Sequence, residues 1–380
     1  MNQLVLTKGV LVTGDNALDY LKNIAYTKAV IVTGGSSMER TGVLDRIKKL
    51  MDKKDGRISI FCGISKNPTS AQVIEGTEFL KKEKPDVVLA VGGGSAIDAA
   101  KVMVLFYEYP ELNFNNVFSQ NLDSRVLKTL LVAVPSTSGT ASEVTHVSVI
   151  TIEDTQFKVA IKTENIRPDI AILDGNLPMT LPENIAAETG MDALTHALEA
   201  YINKGGNDFT DALAKSAIEG IMEWLPISCE SGSLESRNKV HNFQCMAGMA
   251  FCNSGLGMVH GVSHAFGGKY DLAHGLANAV ILPYSMDYNK KDPKVLEKYE
   301  KLSAALGGDV IGKVKALKKT LGIAGAICET GVSEADFLRD FELLVDHSMK
   351  GSTVVNPITV SREDMARFVK CVYYGVPVDF

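Results

Sequence analysis

The first half of the chain alternates between short apolar segments and helical segments, and this alternation restricts the fold more than any other feature. Three of the apolar segments are almost continuously hydrophobic, which is typical of buried parallel strands covered by helices on both faces. Strands are predicted at 28–34, 58–63, 86–93 and 127–136, with helices near 39–52, 69–83 and 95–107. Residues 145–151 and 158–162 predict a small antiparallel addition.

The pattern changes after residue 170. Two prolines interrupt residues 170–184, and from Ile185 onward the sequence is alanine-rich and helical, with few strand signals. A chain of 380 residues exceeds the size at which single cores stop growing. We therefore expect an α/β domain over residues 1–176 and a nearly all-α domain over residues 177–380.

Composition excludes several classes of partner. The net charge is −6 and no basic tract exceeds five residues, which argues against nucleic acid and anionic membranes. No apolar run approaches the roughly 20 residues of a membrane span, and the start MNQLVLTKG lacks the apolar region of a secretory signal. The six cysteines form no C-x-x-C pair, which suits reduced thiols. We expect a cytoplasmic protein that acts on small molecules.

Three histidines and an aspartate predict a site for one divalent metal. Asp192 and His196 are four residues apart in a stretch without proline, so a helix would place them on one face. His260 and His274 follow within HGVSHAFGGKYDLAHG, each before a glycine. Imidazole and carboxylate without thiolate are more typical of catalytic than of structural sites. The alternative for any one of them is a surface hydrogen bond or core packing. His264 is either a proton carrier or a packing residue.

Two loops after apolar strands predict a site for a phosphate-bearing ligand. Strand DVVLAV continues into Gly92, Gly93, Gly94 and Ser95 and then into a helix, so bare backbone N–H groups and a helix N-terminus face the same point. Residues 135–145, PSTSGTASEVT, are rich in hydroxyls and follow the next strand. We interpret the two as a dinucleotide site; the alternatives are a plain turn and a solvated loop. Lys158 is either a solvent-facing charge or a partner for a coenzyme oxygen.

The first strong strand ends in VTGGSSMERTG, without the G-x-G-x-x-G fingerprint, and positions 34–37 are glycines and serines with no acidic residue for a ribose 2′-hydroxyl. Gly34 and the two serines after it leave room for a 2′-phosphate, and Arg40 is close in sequence. This favours NADP(H) over NAD(H), unless the segment is a turn with no coenzyme role.

The motifs GGGSAIDAAK, NPT (67–69), PSTSGTASEVT, GMDALTHALEAY and HGVSHAFGGKYDLAHGLANA together resemble the iron-containing (group III) alcohol dehydrogenases over nearly the whole chain. The resemblance implies a dehydroquinate-synthase-like fold, in which an α/β nucleotide-binding domain precedes a helical domain and the active site lies in the cleft between them. It implies metal ligation by Asp192, His196, His260 and His274, with His264 as a further active-site residue. It implies coenzyme contacts from Asn67, Gly93, Gly94, Ser95, Thr137, Ser138, Thr140, Thr145 and Lys158. Many NAD-using members have Asp at the position of Gly34, whereas the NADP(H)-using butanol dehydrogenases resemble this chain in having Gly.

The predicted activity is hydride transfer between NAD(P)(H) and a small primary alcohol or aldehyde. A bound Fe²⁺, or alternatively Zn²⁺, acts as a Lewis acid on the substrate oxygen, and His264 would carry the released proton. Three alternatives stay open: a zinc- and NAD-dependent lyase of the dehydroquinate synthase type, a glycerol-type polyol dehydrogenase, and a non-catalytic metal- or nucleotide-binding protein. The resemblance suggests a homodimer or higher homo-oligomer.

Overall fold

The computed structural model describes residues 3–53, 55–153 and 157–380. The chain forms two compact units, Met1–Leu181 and Pro182–Phe380. The strands of the first unit are β1 (Val10–Thr13), β2 (Lys28–Thr33), β3 (Arg57–Phe61), β4 (Val87–Gly92), β5 (Leu130–Pro135), β6 (Val147–Ile152), β7 (Phe157–Lys162) and β8 (Ile170–Leu173). Its α-helices are α1 (Ser37–Arg40), α2 (Val43–Leu50), α3 (Ser70–Glu83) and α4 (Gly94–Glu108). Short 3₁₀ segments lie at Ala17–Asn23, Val117–Ser119, Ser142–Val144, Glu164–Ile166 and Pro178–Thr180.

The first unit is built on a six-stranded sheet in the order β1-β8-β5-β4-β2-β3, in which every neighbouring pair is parallel. Strands β6 and β7 form a separate antiparallel pair. The predicted parallel sheet and its small antiparallel addition are thus confirmed. Strands β1 and β8 were not predicted, because each has only four residues, and the helix predicted near 39–52 is divided at Gly42, whose φ is +73°.

Alternate residues of the central strands face two separate hydrophobic cores. On β2, Val30 and Val32 belong to the core that contains residues of α3 and α4. Ala29 and Ile31 belong to the core on the other face, which includes Leu21 and residues of α1 and α2. Both faces of the sheet are therefore covered, which explains why the neighbouring strands β4 and β5 carry no polar side chain.

The second unit is helical throughout: residues 182–380 are all described and contain no strand. Its α-helices are α5 (Glu183–Ile202), α6 (Asp208–Glu230), α7 (Leu234–Ser254), α8 (Met258–Tyr270), α9 (His274–Asn289), α10 (Pro293–Leu306), α11 (Val310–Thr320), α12 (Glu334–Ser348) and α13 (Arg362–Tyr374), with 3₁₀ segments at Ile327–Thr330 and Gly351–Val355. This confirms the predicted α/β-plus-helical fold class.

Helix α5 is the central helix of this unit. It packs against α6, α7 and α9, and every residue from Gly190 to Ile202 is buried. Gly190 permits the close approach of α6, since a Cβ atom there would lie 2.2 Å from Leu225 Cδ1. A helix that is buried on all sides provides rigid positions for polar side chains, because any movement would disturb several packed neighbours.

Within the described part of the chain, every helix is too short or too polar to cross a lipid bilayer. All six cysteines are free thiols, and three of them are buried.

Candidate metal and coenzyme sites

Four side chains of the second unit converge on one point. Asp192 and His196 project from α5, His260 from the first turn of α8, and His274 is the first residue of α9. One ligand atom from each lies within 4.8 Å of the other three. Asp192 Oδ1 is 3.9 Å from His196 Nε2, 3.9 Å from His260 Nε2 and 3.7 Å from His274 Nε2. The predicted metal-binding residues are therefore brought together by three helices.

The distances from the Asp192 oxygen to the three imidazole nitrogens are close to those around a divalent cation. Four ligands at about 2.1 Å from one ion in a tetrahedral arrangement are about 3.4 Å apart, and the observed distances from Asp192 Oδ1 are a few tenths of an ångström longer. Three imidazoles and one carboxylate suit iron and zinc alike. The side chains of Asp192, His196 and His260 are 3%, 6% and 2% exposed, whereas that of His274 is 31% exposed. Solvent therefore reaches the cluster at His274.

The glycine-rich and hydroxyl-rich loops of the first unit contact each other at the carboxyl ends of β4 and β5. Gly92, at the end of β4, has a φ of +149°, which few other residues adopt. A Cβ atom at Gly94 would lie 2.4 Å from Thr140 Oγ1, and one at Gly93 would lie 3.5 Å from Thr137 Oγ1. The structure thus brings together the two loops that the sequence singles out, beside the N-terminus of α4.

Other predicted coenzyme residues lie around these loops. Lys158 Nζ donates to Asn67 Oδ1 at 2.9 Å. Ser95 Oγ donates to the carbonyl oxygen of Lys66, which joins α4 to the segment that contains Asn67. Gly34 lies directly after β2, and its carbonyl oxygen accepts from the Gly63 N–H at 2.9 Å.

Two of the predicted coenzyme residues have buried hydroxyl side chains. Ser138 is buried. Thr145 is also buried, and its hydroxyl accepts from Lys101 Nζ at 2.9 Å, while Lys101 also donates to the Val147 carbonyl oxygen at 2.8 Å. In the described structure, the hydroxyl of Thr145 is thus engaged in holding the loop against α4.

Two family models match the chain. The model for iron-containing alcohol dehydrogenase covers residues 9–175, and the model for the C-terminal part of the Fe-containing alcohol dehydrogenase family covers residues 186–373. The chain belongs to the iron-containing alcohol dehydrogenase family. This confirms the resemblance predicted from the motifs and, with it, an alcohol dehydrogenase or aldehyde reductase that uses a nicotinamide coenzyme.

Individual relatives agree with this assignment. The chain is 39% identical over 379 residues to an NADPH-dependent butanol dehydrogenase of Clostridium saccharobutylicum, with 97% of each chain covered. It is 38% identical over 296 residues to a 1-propanol dehydrogenase of Citrobacter freundii, with 78% of this chain and 76% of the relative covered. Among solved structures, an iron-containing alcohol dehydrogenase from Thermococcus thioreducens matches with a TM-score of 0.91 and 34% identity, covering 99% of this chain and all of the other.

The charges within the four-residue cluster of this alcohol dehydrogenase favour binding of a metal ion. Burial alone would raise the pKa of Asp192, but His196, His274 and His260 and the amide of Asn278 lower it below its usual value. Burial lowers the pKa of His260 well below its usual value, and the nearby His196 lowers it further. An ionised Asp192 and an unprotonated His260 are the states in which these two side chains can bind a divalent cation.

Two further residues of the cluster were missed by sequence reasoning. Glu199 Oε2 lies 2.6 Å from His260 Nδ1, and Glu199 Oε1 accepts from the Val259 N–H at 2.7 Å. Asn278 Nδ2 lies 2.6 Å from Asp192 Oδ1 and 3.2 Å from His260 Nε2. Local signals for both exist, because Glu199 is three residues after His196 on a buried helix and Asn278 is four residues after His274.

His264 is placed next to the cluster and outside the group of four. Its ring centre is 5.1 Å from that of His274 and 6.1 Å from that of His260, and the residue is exposed. Because α8 places His260 and His264 on adjacent turns, His264 has contact with solvent on one side and with the histidine cluster on the other.

Proposed function

We propose that this chain is an iron-dependent, NADP(H)-preferring dehydrogenase of small primary alcohols and aldehydes, with the metal held by Asp192, His196, His260 and His274. The observation that supports it most strongly is the convergence of four ligand atoms within 4.8 Å from three separate helices. The donor set also suits zinc; the family description favours iron.

When bound, the divalent metal supplies Lewis-acid polarisation of the carbon–oxygen bond that gains or loses hydride. The residues of the chain provide the charge and the protonation states that binding of this metal needs. Burial lowers the pKa of His260, which keeps this imidazole unprotonated, and the Asp192 carboxylate contributes one negative charge. His264, exposed beside the cluster, would pass the alcohol proton towards solvent.

We propose that NADP(H) binds at the loops of the first unit through Gly34, Asn67, Gly93, Gly94, Ser95, Thr137, Ser138, Thr140, Thr145 and Lys158. The contact between the two loops beside the N-terminus of α4 supports this, because backbone N–H groups and the helix dipole bind phosphate. Gly35, Ser36 and Ser37 are exposed after β2. Together with Arg40 they would accept a 2′-phosphate, since positions 34–37 carry no acidic residue to repel it.

The test is a coenzyme and metal assay on protein purified anaerobically. With Fe²⁺ and a short aliphatic aldehyde, we expect oxidation of NADPH with a kcat/KM at least about tenfold above that for NADH, a difference of 1.4 kcal/mol. Arg40→Ala is expected to raise KM for NADPH and leave KM for NADH unchanged. If no alcohol, aldehyde or ketone changes the nicotinamide absorbance, the activity is refuted.

A pair of histidine variants tests the metal site. His260→Ala is expected to lose both bound metal and turnover. His347→Ala is the matched control, because His347 lies on α12 of the same unit and outside the cluster, and it should retain both. Full metal content in His260→Ala would remove His260 from the ligand set.

We also propose a cytoplasmic location and a homodimer or higher homo-oligomer. The six free thiols support a reducing compartment, and fractionation would test it. Sedimentation of the purified chain would test the oligomeric state.

A further inference from the structure

One face of helix α5 carries three acidic or imidazole side chains that have different contacts. Asp192, His196 and Glu199 are spaced four and three residues apart, so they lie on the same face of the helix. The first two belong to the group of four proposed ligands, whereas Glu199 does not. Its side chain contacts a proposed ligand from another helix instead, since Glu199 Oε2 is 2.6 Å from His260 Nδ1.

Both oxygens of the Glu199 carboxyl group are engaged at the beginning of α8. Oε2 lies against His260 Nδ1, and Oε1 accepts from the Val259 N–H at 2.7 Å. A neighbouring amide completes the cap, because Asn356 Oδ1 accepts from the Met258 N–H at 3.2 Å. The side chains of Glu199 and His260 are 4% and 2% exposed, so water does not compete for these bonds. A negative charge at this position also interacts favourably with the N-terminus of α8.

Asn278 independently indicates which nitrogen of His260 bears the proton. Its Nδ2 atom lies 2.6 Å from Asp192 Oδ1, an oxygen of a carboxylate that only accepts when ionised. The same amide nitrogen is 3.2 Å from His260 Nε2 and 3.1 Å from His274 Nε2. Because an amide nitrogen only donates, a hydrogen bond from it to His260 requires Nε2 to accept. A neutral imidazole with an accepting Nε2 has its hydrogen on Nδ1, where Glu199 Oε2 lies.

We infer that Glu199 is a positioning residue for the metal site: it accepts the Nδ1–H of His260, which fixes the tautomer and the ring orientation and directs the Nε2 lone pair towards Asp192. This inference rests on the proposed function, in which His260 is a metal ligand. Carboxylates that accept from the second nitrogen of a ligating histidine typically change metal affinity 10- to 100-fold when replaced.

The variant Glu199→Gln tests this with almost no change in volume. A carboxylate accepts from both Val259 N–H and His260 Nδ1–H, whereas an amide has only one accepting oxygen. We expect the dissociation constant for Co²⁺ or Zn²⁺, measured against a competing chelator, to rise about 10- to 100-fold, and the Co²⁺ absorption bands to shift. Glu183→Gln is the matched control, because Glu183 is an exposed residue of the same helix, and it should leave both unchanged.

Far-UV circular dichroism and urea unfolding report whether the helical second unit, which contains Glu199 and His260, is folded in each variant. If Glu199→Gln is folded and also binds metal with wild-type affinity, the inference is overturned while the proposed function stands. If the wild-type chain binds no metal, the proposed function itself fails. Should Glu199→Gln not fold, the ¹⁵N-histidine spectrum of the wild-type chain freed of metal decides: a hydrogen on Nδ1 of His260 supports the inference, and one on Nε2 overturns it.

Discussion

The glycine after His274 controls how closely α9 approaches α5. A Cβ atom at Gly275 would lie 2.4 Å from the carbonyl oxygen of Glu188 and 2.8 Å from its carbonyl carbon. Both are backbone atoms of α5, so they cannot turn away as a side chain would. Gly275→Ala must therefore separate the two helices at the point where Asp192 and His274 face each other.

The size of the displacement follows from these distances. Contacts below 3.0 Å are essentially never made by real Cβ atoms, so a separation of 2.4 Å has to grow by at least about 0.6 Å. Metal sites tolerate ligand distances within about 0.2 Å. Asp192 Oδ1 and His274 Nε2 are already 3.7 Å apart, so we expect at least about a tenfold loss of metal affinity. Overpacking should also lower the free energy of unfolding by about 1–3 kcal/mol.

The assay compares Gly275→Ala with Gly268→Ala. Gly268 lies in α8, is exposed, and has no atom within 4 Å of the Cβ that alanine would add. That control should retain metal and gain up to about 1 kcal/mol from better helix propensity. Chelator competition gives metal affinity, and urea unfolding of the metal-free proteins gives stability. Wild-type metal affinity in Gly275→Ala would refute the claim that this contact sets the helix spacing.

Three further predictions concern the coenzyme loops, a buried lysine and the effect of low pH. Gly94→Ala directs a methyl group at Thr140 Oγ1, so KM for NADPH should rise about 10- to 100-fold with metal content unchanged; an unchanged KM would contradict the proposed loop. Burial lowers the pKa of Lys318 to about 8. Lys318→Met removes the cost of burying a charged ammonium group, which is at most about 3 kcal/mol. It also loses a hydrogen bond to the Gly325 carbonyl oxygen worth about 1 kcal/mol, so the free energy of unfolding at pH 7 should rise by about 1–2 kcal/mol. Because the pKa of Lys318 is lower in the folded state, the cost of its charge is full below about pH 8 and disappears towards about pH 10.4. If urea unfolding shows the same gain in stability for Lys318→Met at pH 7 and at pH 10.5, the lowered pKa of Lys318 is disproved. Below about pH 6, bound metal and activity should fall together, since protons compete for the imidazoles; activity lost with metal retained would exclude this cause.

The parallel sheet could be predicted from the sequence because its central strands are buried on both faces. Strand β4 is buried at all six positions, and such a run is visible without knowing its neighbours. Strands β1 and β8 have four residues each and pair with each other in parallel across about 160 residues of sequence. Runs of four residues, VLVT and IAIL, are too short to be identified as strands by their pattern alone, and their stability as strands depends on that non-local pairing.

In the metal site, too, some features could be predicted from the sequence and others depended on the tertiary structure. The sequence by itself determined the donor set and the helical spacing of Asp192 and His196, because a helix has a fixed period. It also contained Glu199, but a lone carboxylate on a helix reads equally well as a surface charge. Only the tertiary structure decided that Glu199 meets His260 and that His274 lies 3.7 Å from Asp192. These distances join different helices, and their spacing depends on side-chain packing and on glycines such as Gly275, which periodicity does not encode.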